Sequence, residues 1–143
     1  MEITVWIADW QMQCCGDPFR RGERIAWTVL RGLDSHAPEW LAEVLGDRVV
    51  TVDAIEEHHQ EEDSEVEPVI GTIASIRAVS CRLAPVTEGS RTYVQIPGSG
   101  VTTDIEMADG WTEPPSGTEL MGYLVELTGA ARGDEAAPRP ATT

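Results

Sequence analysis

Hydrophobic and polar residues alternate at the start of the chain in a pattern that is typical of a β-strand. Over residues 3–14, Ile3, Val5 and Ile7 occupy one face, and most even positions carry apolar side chains. The Gly-Asp-Pro sequence that follows predicts a break, and a turn precedes the next alternating segment. That segment predicts a second strand over residues 24–30.

The middle of the chain changes to the spacing of short helices. Pro38 suits the first position of a helix, and the apolar stripe after it predicts a helix over residues 38–45, packed by Trp40. The apolar spacing that runs up to His59 predicts a second, acidic helix over residues 53–62.

The second half of the chain returns to strand patterns separated by glycine and proline turns. The longest pattern covers residues 69–83, where a change of phase predicts a β-bulge near Ser75. Strands over residues 92–96 and 101–107 flank a Pro-Gly-Ser-Gly sequence and predict a hairpin. A last strand is predicted over residues 120–127.

These patterns predict an α+β fold that is predominantly β. We expect a small antiparallel β-barrel or sandwich of about six to seven strands with two short helices. Residues 1–128 are expected to form a single globular domain, because the 143-residue chain has the length of one domain. Residues 129–143 are rich in Ala, Gly, Pro, Arg and Thr and predict a disordered C-terminal tail.

The chain is strongly acidic, and this charge limits the partners that it can attract. Its formal net charge is −15, its pI is about 4.3, and all ten of its basic residues are arginine. A negative field of this size repels phosphate backbones and anionic lipids, so nucleic-acid and membrane binding are not expected. The N-terminal residues lack the basic and apolar stretches of a signal peptide, so we expect a cytoplasmic location.

Cysteine and histidine residues offer one candidate metal site. Zinc takes four ligands from thiolate, imidazole and carboxylate groups. The periodicity places three such residues on apolar faces that would point inward, and the set considered is Cys14, His59 and Cys81. The alternates in this set are Cys15, Glu56 and His58. The alternative interpretation is that the cysteines are buried as small apolar side chains.

A thiol-dependent enzyme is a weaker alternative, with Cys14 or Cys15 as nucleophile and His58 or His59 as base. The acidic residues around the two histidines oppose it, because negative charges raise the pKa of a neighbouring thiol. The sequence contains no paired C-x-x-C, P-loop or G-x-S-x-G motif. It therefore assigns no catalytic residue.

Aromatic and charged residues favour protein binding as the leading function. Tryptophan is enriched at binding hot spots, and Trp111, in a loop before two prolines, is expected to be the most exposed tryptophan. Arg20 and Arg21 form a basic patch, and residues 53–67 form an acidic segment. We therefore predict a non-catalytic binding or protein-interaction module, with another protein as its partner and zinc as the only cofactor considered.

A distinctive string of residues near the start of the chain resembles a known family. The string reads Val5-Trp6, Asp9-Trp10-Gln11-Met12-Gln13-Cys14-Cys15-Gly16 and Pro18-Phe19, followed later by Glu56-Glu57-His58-His59. It resembles a family of small proteins of GC-rich, actinomycete-type bacteria that is classed as a domain of unknown function. The resemblance spans residues 3–127, leaves the tail outside, and implies no activity, cofactor or catalytic residue.

Overall fold

Strands dominate the computed structural model, which describes residues 2–14, 17–30, 39–45, 52–56 and 66–132. In chain order the elements are β1 (Ile3–Ala8), α1 (Asp9–Cys14), β2 (Phe19–Arg20), β3 (Arg24–Leu30), α2 (Glu39–Leu45), β4 (Ala54–Glu56), β5 (Val66–Cys81), β6 (Leu83–Pro85), β7 (Tyr93–Gln95), β8 (Val101–Ile105), β9 (Met107–Ala108) and β10 (Glu119–Arg132). The second strand, predicted over residues 24–30, is confirmed as β3.

The main sheet contains six strands in the order β10-β1-β4-β3-β5-β8, and it curls into a half-barrel. The long strand β10 pairs with β1 along one edge and with β5 along the other. Two smaller two-stranded sheets join β2 to β9 and β6 to β7. The prediction of a predominantly β fold is confirmed, but the described residues show a curled half-barrel and not the predicted closed barrel or sandwich. The expected antiparallel pairing is wrong for β1 and β4, which pair in parallel.

A β-bulge in β5 keeps its apolar residues on one face. Glu126 of β10 pairs with Ser75, whereas the next residue, Leu127, pairs with Ile73, so that Ala74 is left over on β5. The extra residue restores the alternation. As a result, Ile73 and Ile76 are buried in the same apolar cluster although their spacing is odd. The bulge predicted near Ser75 is therefore confirmed.

The two faces of the sheet carry separate apolar clusters. Adjacent residues of β10 point to opposite faces, so Tyr123 is buried in one cluster and Leu124 in the other. Helix α2 packs over the Leu124 face, where Trp40 makes an edge-to-face contact with Trp6 at 5.7 Å between ring centroids. The helix predicted over residues 38–45 is confirmed from residue 39 onward, because residue 38 lies outside the described residues.

The predicted first strand is too long, since β1 ends at Ala8 and the chain then forms α1. The helical turn brings Met12 into the buried cluster and lets the Gln13 side chain donate a hydrogen bond to the carbonyl oxygen of Gly110, at 2.8 Å. Alternating apolar positions cannot report these contacts, because they come from a loop about a hundred positions further along the chain.

The acidic helix predicted over residues 53–62 is wrong for Ala54–Glu56, which form β4. This short strand lies between β1 and β3, where Ala54 pairs with Val5 and Ile55 pairs with Trp6 and Leu30. The sheet thus provides partners for the backbone groups that a helix would have paired internally. Residues 57–62 of that prediction, and residues 57–65 of the acidic segment, lie outside the described residues.

The predicted hairpin around Pro97–Gly100 is also wrong, although both of its strands exist. Strand β7 pairs with β6, and β8 pairs with β5, so the two strands enter different sheets. The turn between them docks on α2, because the N–H groups of Gly98 and Gly100 donate to the carbonyl oxygens of Glu43 and Val44. These bonds hold the turn against the helix and separate the two strands.

Strand β10 includes the first four residues of the predicted tail, residues 129–132. The pairing with β5 shifts after Thr128 and resumes at Ala131, and Ala130 is buried in the same cluster as Tyr123. Gly129, with φ +61°, makes this irregularity possible. Residues 133–143 lie outside the described residues, so the disorder expected for them stays a prediction.

Candidate functional site

Trp111 is the most exposed large apolar residue of the described chain, with 69% of its surface accessible. It lies in the segment between β9 and β10. Its neighbour Gly110 is buried, and Thr112 is half-buried. The loop therefore rests on the protein surface and presents one large indole to solvent.

The buried Tyr123 holds this loop in place. Its hydroxyl oxygen accepts a hydrogen bond from the Gly110 N–H at 3.0 Å and makes a second hydrogen bond with Thr112 Oγ1 at 2.8 Å. The tyrosine ring is itself fully buried and meets Phe19 edge to face, with the centroids 6.2 Å apart. The Trp111 loop is thus tied on both sides of the indole to a rigid part of the core.

Local geometry adds a second set of restraints. The Asp109 carboxylate accepts a hydrogen bond from the Trp111 N–H at 2.8 Å, which closes a tight turn. Gly110 has φ +86°, and a Cβ there would lie 2.8 Å from Met12 Cβ. Only glycine fits this position, since the conformation and the space both exclude a side chain.

Two adjoining surface clefts extend from the Trp111 loop. One, of about 330 Å³, is lined by Trp111 and Glu113, and the other, of about 470 Å³, by Tyr93 and Leu83. They share the residues Asp9, Glu119 and Leu120. We call this continuous surface, defined by those seven residues, the aromatic groove.

The charged side chains that line the aromatic groove are all acidic. Its lining contains three carboxylates, those of Asp9, Glu113 and Glu119. No arginine or histidine lines either cleft in the part of the chain that the structure describes. The groove therefore combines two exposed aromatic rings, an apolar wall and negative charge.

The two arginines that the sequence singled out lie on a different surface. Arg21 Nη2 is 3.2 Å from Glu106 Oε1, and both side chains are more than half exposed. The Arg20 N–H donates to Glu23 Oε1 at 3.0 Å, and Arg20 pairs with Met107 across the β2–β9 sheet. Neither arginine lines the aromatic groove, so the structure does not join them to Trp111 in one cleft.

The candidate zinc ligands are mostly outside the described part of the chain. His58, His59 and Cys15 belong to it entirely, and for Cys14 and Glu56 only the backbone is described, in α1 and β4. Within the described residues no group of three or more His, Cys, Asp or Glu is arranged to hold a metal ion. The zinc site and the thiol-dependent enzyme stay predictions.

Cys81 is the one candidate ligand whose surroundings are visible. It is fully buried in the apolar cluster that contains Trp6, Val79 and Leu124, in agreement with the inward-pointing apolar face predicted for it. Burial raises the pKa of the Cys81 thiol, because the thiolate would lose its hydration. A neutral thiol is a weak nucleophile and a weak ligand.

We expect Cys81 to react at least about 100-fold more slowly with iodoacetamide in the folded protein than in denaturant. The experiment uses a Cys14→Ser/Cys15→Ser variant, in which Cys81 is the remaining cysteine, and follows alkylation by mass spectrometry near neutral pH. Equal rates in the two conditions would show that the thiol is accessible and would contradict the packing described here.

The described residues define a small, strand-dominated fold whose surface carries the aromatic groove. The chain belongs to a family of unknown function, DUF6578, whose model matches residues 1–129. The resemblance to a domain of unknown function is thereby confirmed. No curated protein and no solved structure matches the chain. In the described residues, no helix has the length and apolar character that crossing a membrane requires.

Sequence reasoning found Trp111 but missed the residues around it. Tyr123 lies in the strand predicted over residues 120–127, and its hydroxyl is the available signal, because a buried tyrosine hydroxyl needs a hydrogen-bond partner. Nothing in the sequence links Asp9, Tyr93 and Glu119, which come from different elements. Their meeting depends on the pairing of β1 with β10 and on the position of the β6–β7 sheet.

Proposed function

We propose that this protein is a non-catalytic binding module that holds a segment of another protein in the aromatic groove, with Trp111 as the anchor. One observation carries the proposal. A tryptophan with 69% of its surface exposed stands on a loop that the buried Tyr123 holds by two hydrogen bonds. An exposed large apolar ring on a fixed loop does not improve solubility, so it favours a role of this loop in binding.

The energetics of association support this interpretation. A tryptophan side chain buries about 150–250 Å² when it is covered, and such residues dominate binding hot spots. Binding also costs conformational entropy, which is smaller when the loop is already ordered. The hydrogen bonds that fix Gly110 and Thr112 therefore lower the cost of using Trp111 as an anchor.

The surroundings of Trp111 extend the contact surface. Tyr93, Val94 and Val86, on and beside the β6–β7 sheet, are the other exposed large apolar residues in the described parts of the chain. Leu83 and Leu120 line the wall between Tyr93 and Trp111. This arrangement suits an extended segment that crosses the groove.

The predicted cytoplasmic location is part of the same proposal. Cys81 is a free, buried thiol. Free thiols persist where glutathione and thioredoxin keep them reduced, as in the cytosol.

A selection from a library of displayed peptides tests the proposed function. We expect the immobilised protein to enrich peptides whose affinity falls at least about tenfold, equivalent to about 1.4 kcal/mol, in a Trp111→Ala variant. Because Trp111 is exposed, the melting temperature of this variant should stay unchanged within about 2 °C. An Arg20→Ala/Arg21→Ala variant is the matched control and should retain the affinity.

Two outcomes would contradict the proposal. One is enrichment of peptides that bind Trp111→Ala as well as the wild type. The other is enrichment of peptides that lose affinity only in the Arg20→Ala/Arg21→Ala control, which would move the binding surface to the β2–β9 sheet.

A further inference from the structure

We infer that the segment bound in the aromatic groove carries arginine, whose guanidinium groups stack on Trp111 and pair with Glu113 and Glu119. This inference rests on the proposed function and adds the chemistry of the partner. It does not follow from net charge alone, since it assigns the recognition to one tryptophan and two carboxylates.

Charge complementarity inside the groove is the first argument. Glu113 lies with Trp111 in one cleft, and Glu119 forms the wall that this cleft shares with the next. Both side chains are exposed. A cationic segment would gain the attraction of these carboxylates, whereas an acidic segment would be repelled.

The net charge of the whole chain acts in the same direction. At a formal charge of −15, the protein attracts cations over a distance of about a Debye length, roughly 8 Å at physiological ionic strength. Long-range attraction brings a basic segment to the protein surface, and the contacts in the groove then fix the position at which the segment binds. A nucleic acid would meet repulsion from the same field.

The exposed indole is the second argument, because it distinguishes arginine from other cations. A cation over the face of tryptophan gains about 0.5–2 kcal/mol, and the planar guanidinium group can stack on the ring while its N–H groups reach a carboxylate. Lysine has a compact, strongly hydrated charge and lacks this geometry. Trp111 and Glu113 line the same cleft, so one guanidinium can use both.

The arrangement of the carboxylates is the third argument. Asp9, Glu113 and Glu119 share a cleft, yet no three acidic, histidine or cysteine side chains among the described residues are arranged to hold one metal ion. Carboxylates that line a groove without meeting at a point fit several cations along a chain better than a single divalent ion.

The test compares two peptides of equal charge, hexa-arginine and hexa-lysine, both acetylated and amidated. We expect isothermal titration at about 50 mM salt to show hexa-arginine binding the wild type at least about threefold more tightly than hexa-lysine. The preference should vanish in Trp111→Ala. Equal affinities for the two peptides in the wild type would overturn the inference.

Two charge variants distinguish binding by the carboxylates of the groove from attraction by the net charge of the whole protein. Glu113→Gln/Glu119→Gln should weaken hexa-arginine binding at least about fivefold. Glu43→Gln/Asp104→Asn removes the same amount of charge from exposed residues that do not line the groove. This control should weaken binding by less than about twofold. Equal losses in the two variants would assign the binding to net charge and overturn the inference.

The peptide selection distinguishes failure of this inference from failure of the proposed function. Trp111-dependent peptides that are not enriched in arginine would refute the arginine inference and leave the binding module in place. Sedimentation of the wild type at about 100 μM tests whether a second copy of the chain occupies the groove. A dimer that Trp111→Ala abolishes would assign the groove to a second copy of the chain and overturn the inference.

Discussion

Replacing Gly122 by alanine should lower the free energy of unfolding by more than about 3 kcal/mol, or prevent folding. Gly122 lies on β10 opposite Ala8 of β1 and Val79 of β5. A Cβ on Gly122 would collide with the carbonyl oxygen of Ile7 and would lie 2.7 Å from Cη2 of the Trp6 ring.

Neither obstacle can move cheaply. The Ile7 carbonyl belongs to the backbone of a strand that β10 itself pairs with. The Trp6 ring is 2% exposed and packed against Trp40 of α2. The added methyl group must therefore separate β1 from β10 or displace α2. Either change breaks the close packing of the apolar cluster that contains Trp6 and Leu124.

Gly71→Ala is the matched control, since it adds the same methyl group to the neighbouring strand β5. The nearest atom to a Cβ on Gly71 is 3.3 Å away, so small shifts can accommodate it. We expect a change of about 1 kcal/mol or less from urea denaturation. If both variants lost the same stability, the close approach of Gly122 to Trp6 would be wrong.

Tyr123→Phe should cost about 2 kcal/mol of stability. The substitution keeps the ring in the core and removes only the hydroxyl group. The Gly110 N–H then loses its acceptor in a buried position, and Thr112 loses a partner. An unsatisfied buried donor carries a desolvation cost of about 1–3 kcal/mol.

The same variant should weaken peptide binding although it leaves Trp111 in place. Once its hydrogen bonds to Tyr123 are lost, the loop must be ordered during binding, which adds an entropic cost. We expect a loss of about threefold to tenfold for the peptides that the selection recovers.

Tyr93→Phe controls for the chemical change, because it removes a hydroxyl group from an exposed tyrosine. Its stability, measured by the same urea denaturation, should change by less than about 0.5 kcal/mol. Unchanged stability in Tyr123→Phe would mean that the hydroxyl does not hold the Trp111 loop.

Local patterns predicted the elements that local interactions decide. Strand β3 alternates along its whole length, and α2 combines an apolar stripe with Trp40, so both were found almost to the residue. The bulge in β5 was visible because Ile73 and Ile76 are out of phase, and a buried strand must correct such a phase change.

Elements decided by distant contacts could not be predicted. Ala54–Glu56 became β4 because β1 and β3 offer it partners on both sides. The turn at Gly98 and Gly100 docks on α2 instead of closing a hairpin. No window of the sequence contains these contacts, so periodicity assigned a helix to the first segment and a hairpin to the second.

The candidate site also combines a residue that local sequence features predicted with surroundings that distant contacts determine. Exposure of Trp111 followed from its place in a polar loop beside two prolines, which are local features. The hydrogen bond between Gln13 and Gly110 joins residues 97 positions apart, and the groove walls come from α1, β6, β7 and β10. The sequence could indicate the anchor but not the surface around it.

The most direct test of the binding module is the NMR signal of the Trp111 indole N–H during titration with the selected peptides. The protein has five tryptophans, and the Trp111 signal is identified by its absence from the spectrum of Trp111→Ala. We predict that this signal shifts more than the other tryptophan indole signals and saturates with the binding curve. The signal of the buried Trp6 indole should not shift. Peptide binding that leaves the Trp111 signal unmoved would contradict the account.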